Sequence, residues 1–196
     1  MNKMLNFKEK VICWIASITR IWYSWIIARF TYRLTVKLLF LIYNPLKKRK
    51  KFVEAVIPYD NDLKIQINTG SVIEWYIFFH GYYEPEIVNY IKKYLRKEGV
   101  FVDVGANIGV HSLIASKIAS KIIALEPVPE HLNRLKKNCE LNNITNISFL
   151  QLAASDNQGE YPFYVPMATA NKGVGSMYKD TKSFTETEIK EIKVDV

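Results

Sequence analysis

The stretch Gly99–Ser116, GVFVDVGANIGVHSLIAS, decides the fold. VFVDV contains one polar residue, Asp103, and matches a parallel strand covered on both faces. GANIG follows, with Gly105 and Gly109 at its two ends, and VHSLIASKIA then reads as a helix. A strand, a tight glycine turn and a helix N-terminus let backbone approach a ligand closely and turn helix N–H groups outward. That is a site for a nucleotide-like ligand.

The turn departs from the dinucleotide pattern GxGxxG, because Asn107 stands where the middle glycine would be. Asn tolerates left-handed backbone better than other non-glycine residues, so the turn survives the exchange. Asp103 precedes the first glycine by two residues. A carboxylate there opposes a pyrophosphate and suits a cationic group, such as the amino group of a methionine-like moiety. The charge therefore favours S-adenosylmethionine over NAD.

Working outward, KIIALEP ends in Glu126, twenty-one residues after Gly105. An acid at the end of the second strand is placed to accept both ribose hydroxyls of an adenosyl group. EHLNRLKKNCELNN reads as a helix with Leu132, Leu135 and Cys139 inward, and ISFLQLAAS as a third strand. Asp156 lies in the turn after it, where an acceptor meets the exocyclic amine of adenine. Upstream, FVEAVIPYDNDLKIQINT alternates apolar and polar residues around a turn at YDND and predicts a hairpin. An aromatic run follows, broken at Gly81. A helix from about Pro85 to Lys97 comes next, its core face marked by Ile87, Tyr90, Ile91, Tyr94 and Leu95. His111 opens the helix after the glycine turn and reads as packing.

The net charge of +8 is unevenly spread. Met1 to Lys51 carries twelve Lys or Arg against Glu9, which is +11, and the remainder is −3. The domain beyond Lys51 is mildly acidic, which argues against nucleic acid as a partner. In the basic quarter, Arg20, Arg29, Arg33 and Lys37 interrupt the apolar stretch Val11–Pro45, so no run reaches the ~18 uncharged residues a spanning helix needs. Trp14, Trp22 and Trp25, followed by KKRKK at Lys47–Lys51, predict an amphipathic helix lying on an anionic membrane surface, with packing on the domain and membrane spanning as alternatives. The expected localisation is cytoplasmic and peripheral at the membrane. Cys13 and Cys139 form no disulfide framework, and with the three histidines they give no metal-ligand spacing. No metal is expected.

The motifs HGYYEPE, FVDVGANIGVHSL, ALEPVPEHLNRLKKN and LAASDNQGEYPFYV together resemble the FkbM family of S-adenosylmethionine-dependent methyltransferases. The resemblance spans about Phe79 to Val165. It implies an α/β, class I Rossmann-like parallel sheet and O-methylation of a hydroxyl on a glycan, a lipid-linked sugar or a secondary metabolite. It implies that Asp103, Gly105, Asn107 and Gly109 line the methionine and ribose side, that Glu126 takes the ribose, and that the turn Ala154–Asp156 takes the adenine. It also brings Tyr83 and Glu84 towards the methyl donor or acceptor, against the alternative of a packing aromatic and a helix cap. No base stands out for catalysis; His80 and Glu84 are the weak candidates. The family's next strand, with its IDVEG-like motif, does not occur before Val196, so the sheet is expected to be incomplete. The sequence then reads as three segments: a basic amphipathic one (1–51), a hairpin and helix (52–98), and the first part of a methyltransferase domain (99–196). The first strand is then expected to expose one backbone edge unless the C-terminal hairpin or another chain covers it. The alternative reading is a truncated, non-catalytic adenosyl-binding or interaction protein.

Overall fold

The computed structural model describes residues 52–166, 175–179 and 189–196. The basic segment 1–51, with its proposed membrane helix, lies outside them. Among the described residues no helix is long and apolar enough to cross a membrane, and no cluster of three or more metal-ligating side chains occurs.

The chain divides into two compact units. A hairpin opens the described residues, with β1 at Glu54–Tyr59 and β2 at Leu63–Asn68. Its tip is the expected one. Asp60 and Asn61 both take left-handed backbone, which short polar side chains tolerate, and the Leu63 N–H donates to the Asp60 carbonyl at 2.9 Å. The base of the hairpin belongs to the first unit, where Val53 N–H donates to Thr69 Oγ1 at 2.9 Å. Helix α1, Val72–His80, follows in the same unit. Trp75 and Phe79 lie 4.9 Å apart between centroids, as do Phe78 and Phe79, so this unit is held by ring packing. The buried Glu74 carboxylate accepts the Asn68 N–H and ties the helix back to β2.

The second unit carries the motif-bearing elements. Helix α2 is Pro85–Tyr94, strand β3 Val100–Val104, helix α3 Val110–Ser116, strand β4 Lys121–Leu125, helix α4 Pro129–Glu140 and strand β5 Ile147–Leu150. The strands form a parallel sheet in the order β3-β4-β5, with Val102 opposite Ile123 and Ala124 opposite Phe149. Helical crossovers between parallel neighbours make this a Rossmann-like α/β layer, as the sequence predicts. Its covered face holds Ile122 and Ala124, both fully buried, and α3 packs there with Leu113, Ile114 and Ala115.

Two expectations are corrected here. The β3 strand is not covered on both faces by the described residues: Val100, Val102 and Val104 are each more than half exposed. Its hydrophobicity signals a strand made for two-sided cover, and pattern cannot say which face receives it. Helix α2 buries Val88 and Ile91 and exposes Ile87, Tyr90 and Tyr94. Packing of α2 on α3 selects that narrower stripe, and Tyr90 and Tyr94 stack on each other at 5.7 Å instead. The C-terminal hairpin pairs β6 Glu160–Pro166 with β7 Ile189–Asp195. It does not cover β3. It attaches beyond β5, through a parallel bridge between Leu152 and Asp195 and a bond from Ala153 N–H to the Asp195 carbonyl at 2.9 Å. Among the described residues β3 pairs with β4 alone.

Candidate functional site

The glycine turn is built from both its ends. Gly105, Asn107 and Gly109 all have positive φ, 76°, 51° and 92°. The N–H groups of Gly105 and Ala106 both donate to the Leu125 carbonyl at 2.9 Å, which sets the turn against the end of β4. The Glu126 carboxylate completes this. One oxygen accepts the Asn107 N–H at 2.8 Å and the other the Val128 N–H at 2.9 Å. Glu126 is buried, and the Nδ1 atom of His131, also buried, lies 3.5 Å from the same oxygen that Val128 uses. An ionised carboxylate has about four acceptor positions, so two backbone bonds leave capacity for further donors.

Behind the turn, Asp103 accepts the Ser112 hydroxyl at 2.5 Å. Burial raises its carboxyl above the usual carboxylate range, with the Glu126 charge acting the same way; the Ser112 bonds and His111 pull downward. Asn138, fully buried on α4, accepts the Gln66 N–H at 2.8 Å and donates to the Ile108 carbonyl at 2.9 Å. It bridges β2 and the glycine turn within the second unit. Tyr59 adds a second tie, its hydroxyl donating to the Val110 carbonyl at 2.8 Å.

A cavity of about 330 Å³ opens beside the turn. Its lining includes Gly105, Asn107 and Glu126 together with Val128, His131, Phe163, Met177 and Tyr178. A side chain at Gly105 would meet nothing within 4 Å, so the backbone there faces open space.

The structure thus brings four of the sequence-derived residues, Gly105, Asn107, Glu126 and Ala154, to one cavity. Asp103 and Gly109 sit behind it, among packed side chains. Asp156 is exposed and bonded to Ser155 and Asn157. His80 and Tyr83 belong to the first unit, whereas the cavity is lined by the second unit alone. His80 touches the Trp75 and Tyr76 rings, and burial pushes its imidazole down. Glu84, in left-handed backbone at φ 51°, faces His111, with 3.8 Å between Oε2 and Nε2. Cys139 is buried, and burial, followed by the Glu140 charge, pushes its thiol up to about 12, so it is inert.

Sequence reasoning missed His131, Asn138, Phe163, Met177 and Tyr178. Asn138 carried a signal, a polar residue three positions from Leu135 on the inner face of its helix. The others reach the cavity only through the tertiary fold.

A parallel αβ layer with a glycine turn and a buried acid at the next strand end defines the class of Rossmann-like nucleotide-type sites. The family described as Vibrio cholerae RfbT protein matches residues 64–196, and the chain belongs to that family. It is similar to the tRNA/tmRNA (uracil-C(5))-methyltransferase of Campylobacter lari, 28% identical over 53% of this chain and 27% of that protein. It is also similar to the ribosomal protein L11 methyltransferase of Clostridium perfringens, 26% identical over 55% of this chain and 36% of the relative. The chain thus spans about a third of the length of these curated relatives. Among solved structures, the M. jannaschii tRNA m1G37 methyltransferase aligns with a TM-score of 0.40 at 22% identity, over 52% of this chain and 30% of that one. The structure of M. jannaschii TYW2 in complex with AdoMet aligns at 0.39 and 17%, over 50% and 42%. The curated relatives correct the expectation that nucleic acid is excluded as a partner. The Campylobacter lari relative is named for action on tRNA and tmRNA. Net charge summed over a domain does not report local patches, so a value of −3 beyond Phe52 is no ground for that exclusion.

Proposed function

We propose that the chain is the cofactor-binding part of an S-adenosylmethionine-dependent methyltransferase. The observation that carries this reading is the meeting of Gly105, Asn107 and the buried Glu126 carboxylate on one cavity. The residues fit the group. Gly105 leaves backbone bare where a ligand must come close, and Glu126 retains acceptor positions for a vicinal diol. Asp103 and Glu126 supply negative potential towards a cationic ligand, and Ala154 with the Asp156 turn offers the adenine end. When bound, the cofactor supplies an electrophilic methyl group; the chain binds and orients it.

The acceptor we propose is a hydroxyl of a glycan, lipid-linked sugar or secondary metabolite, on the FkbM resemblance of the four motifs. Glu84 and His111, facing each other at the start of their helices, are the residues we would test first for acceptor deprotonation. A nucleic-acid acceptor is the second reading, supported by the Campylobacter lari relative. Transfer of labelled methyl to RNA but not to glycan would decide for it.

The cofactor reading is tested by calorimetric titration of the full chain with S-adenosylhomocysteine. Glu126→Ala is expected to reduce affinity by about thirtyfold, through loss of charge-assisted bonds worth about 2 kcal/mol. It also orphans two N–H donors, so circular dichroism must first show the variant folded. An affinity equal to wild type would sink the assignment.

We further propose that residues 1–51 hold the protein at an anionic membrane surface, on the strength of their +11 charge and tryptophans. Binding to phosphatidylserine vesicles should fall steeply as salt rises. Equal binding to neutral vesicles would remove the role given to Lys47–Lys51.

A further inference from the structure

We propose that His131 is a positioning residue for Glu126, holding the carboxylate in the orientation that accepts a vicinal diol; the inference rests on the cofactor reading. Both residues are buried. Nδ1 of His131 stands 3.5 Å from Oε1 of Glu126, the oxygen that also accepts the Val128 N–H. Among the described residues, no other basic side chain pairs with Glu126. A buried carboxylate is costly unless donors or a cation compensate it. The backbone supplies two N–H groups, and the imidazole is the side chain that adds to them.

The chain between the two residues makes this pairing stiff. Glu126, Pro127, Val128 and Pro129 run from the end of β4 into α4, and each proline fixes its own φ. The Leu132 N–H donates to the Val128 carbonyl at 3.0 Å, so the first turn of α4 is already closed where His131 sits. That turn carries the imidazole back to a carboxylate bonded to backbone through both its oxygens. The ring against Oε1 then opposes rotation of the carboxylate away from these bonds. At 3.5 Å the nitrogen stands beyond the span of an ordinary N–H···O bond, so the oxygen keeps acceptor capacity for a ligand hydroxyl.

The test is a cycle between His131 and the ligand's hydroxyls, run by calorimetry on the full chain. The probes are S-adenosylhomocysteine and its 2′,3′-dideoxy analogue, which differ only in the ribose diol. His131→Leu should weaken S-adenosylhomocysteine by about fivefold, less than the loss of a full bond to a charged group, and the analogue by less than about twofold. His131→Asn puts an amide nitrogen at the place of Nδ1 and should bring S-adenosylhomocysteine back to within about twofold of wild type. Thermal melts verify folding. If His131→Leu does not fold, His131→Gln replaces it: its amide nitrogen takes the place of Nε2, so it should show the same selective loss. Equal loss of both probes, or no loss of either, in a folded variant overturns the positioning role and leaves the cofactor reading intact. Failure of the wild-type chain to bind S-adenosylhomocysteine overturns both.

Discussion

Gly105 and Gly109 bound the same turn, four positions apart, with positive φ of 76° and 92°. Their surroundings are opposite. A Cβ at Gly105 would meet nothing within 4 Å, whereas one at Gly109 would stand 2.3 Å from Leu135 Cδ1. The first glycine leaves space beside a cavity, and the second lets helix α4 close onto the start of α3. One stands bare against open space, the other against the protein's own packing. A glycine pattern alone therefore does not say which of its members serves a ligand.

This contrast is open to direct attack. The largest effect is expected at Gly109. Gly109→Ala combines left-handed strain with overpacking against Leu135, and should lower stability by about 3 kcal/mol in urea denaturation. Affinity per folded molecule should change little. Gly105→Ala should cost only about 1 kcal/mol of stability, from φ alone. Its Cβ would enter the cavity instead, so S-adenosylhomocysteine binding should fall by at least about tenfold. If the two variants lose stability and affinity in the same proportion, the division between packing glycine and ligand glycine is wrong.

The smallest effect concerns the acid behind the turn. Burial raises the Asp103 carboxyl in the folded chain above its ordinary 3.8, so the native state holds this proton more tightly than the unfolded one. The stability linked to Asp103 is then complete below pH 3.8 and is lost as pH rises through the higher folded value. Asp103→Asn keeps an acceptor for Ser112 and removes the titration. Denaturation measured from pH 3 to pH 7 should show the variant gaining on wild type as pH rises. A constant difference across that range would mean that Asp103 does not titrate as its burial dictates.

The reach of the sequence follows the range of the forces. The hairpin tip, the glycine turn and the strand-helix order are set by φ preferences and by hydrophobic period, which act within a few residues. Hence Asp60 and Asn61, Gly105, Asn107 and Gly109, and the strands at Val100–Val104 and Lys121–Leu125 were all legible. The position of Glu126 was legible too, because the length of one βα unit fixes its distance from Gly105. Helix α2 shows where this stops. Its periodicity was readable, but which stripe is buried depends on the helix it meets, and Val88 with Ile91 displaced the more aromatic stripe.

The sequence by itself therefore determined the local frame of this protein: a parallel α/β layer, a left-handed turn and an acid at the next strand end. Only the tertiary structure decided how that frame is used. It turned both Glu126 oxygens onto the backbone N–H groups of Asn107 and Val128, and it set the fully buried Asn138 between Gln66 and Ile108. It also carried Phe163, Met177 and Tyr178 across from the C-terminal hairpin region to the lining of the same cavity. These placements join residues tens of positions apart. They are fixed by packing and by the need to pair buried polar groups, and neither leaves a periodic trace in the chain.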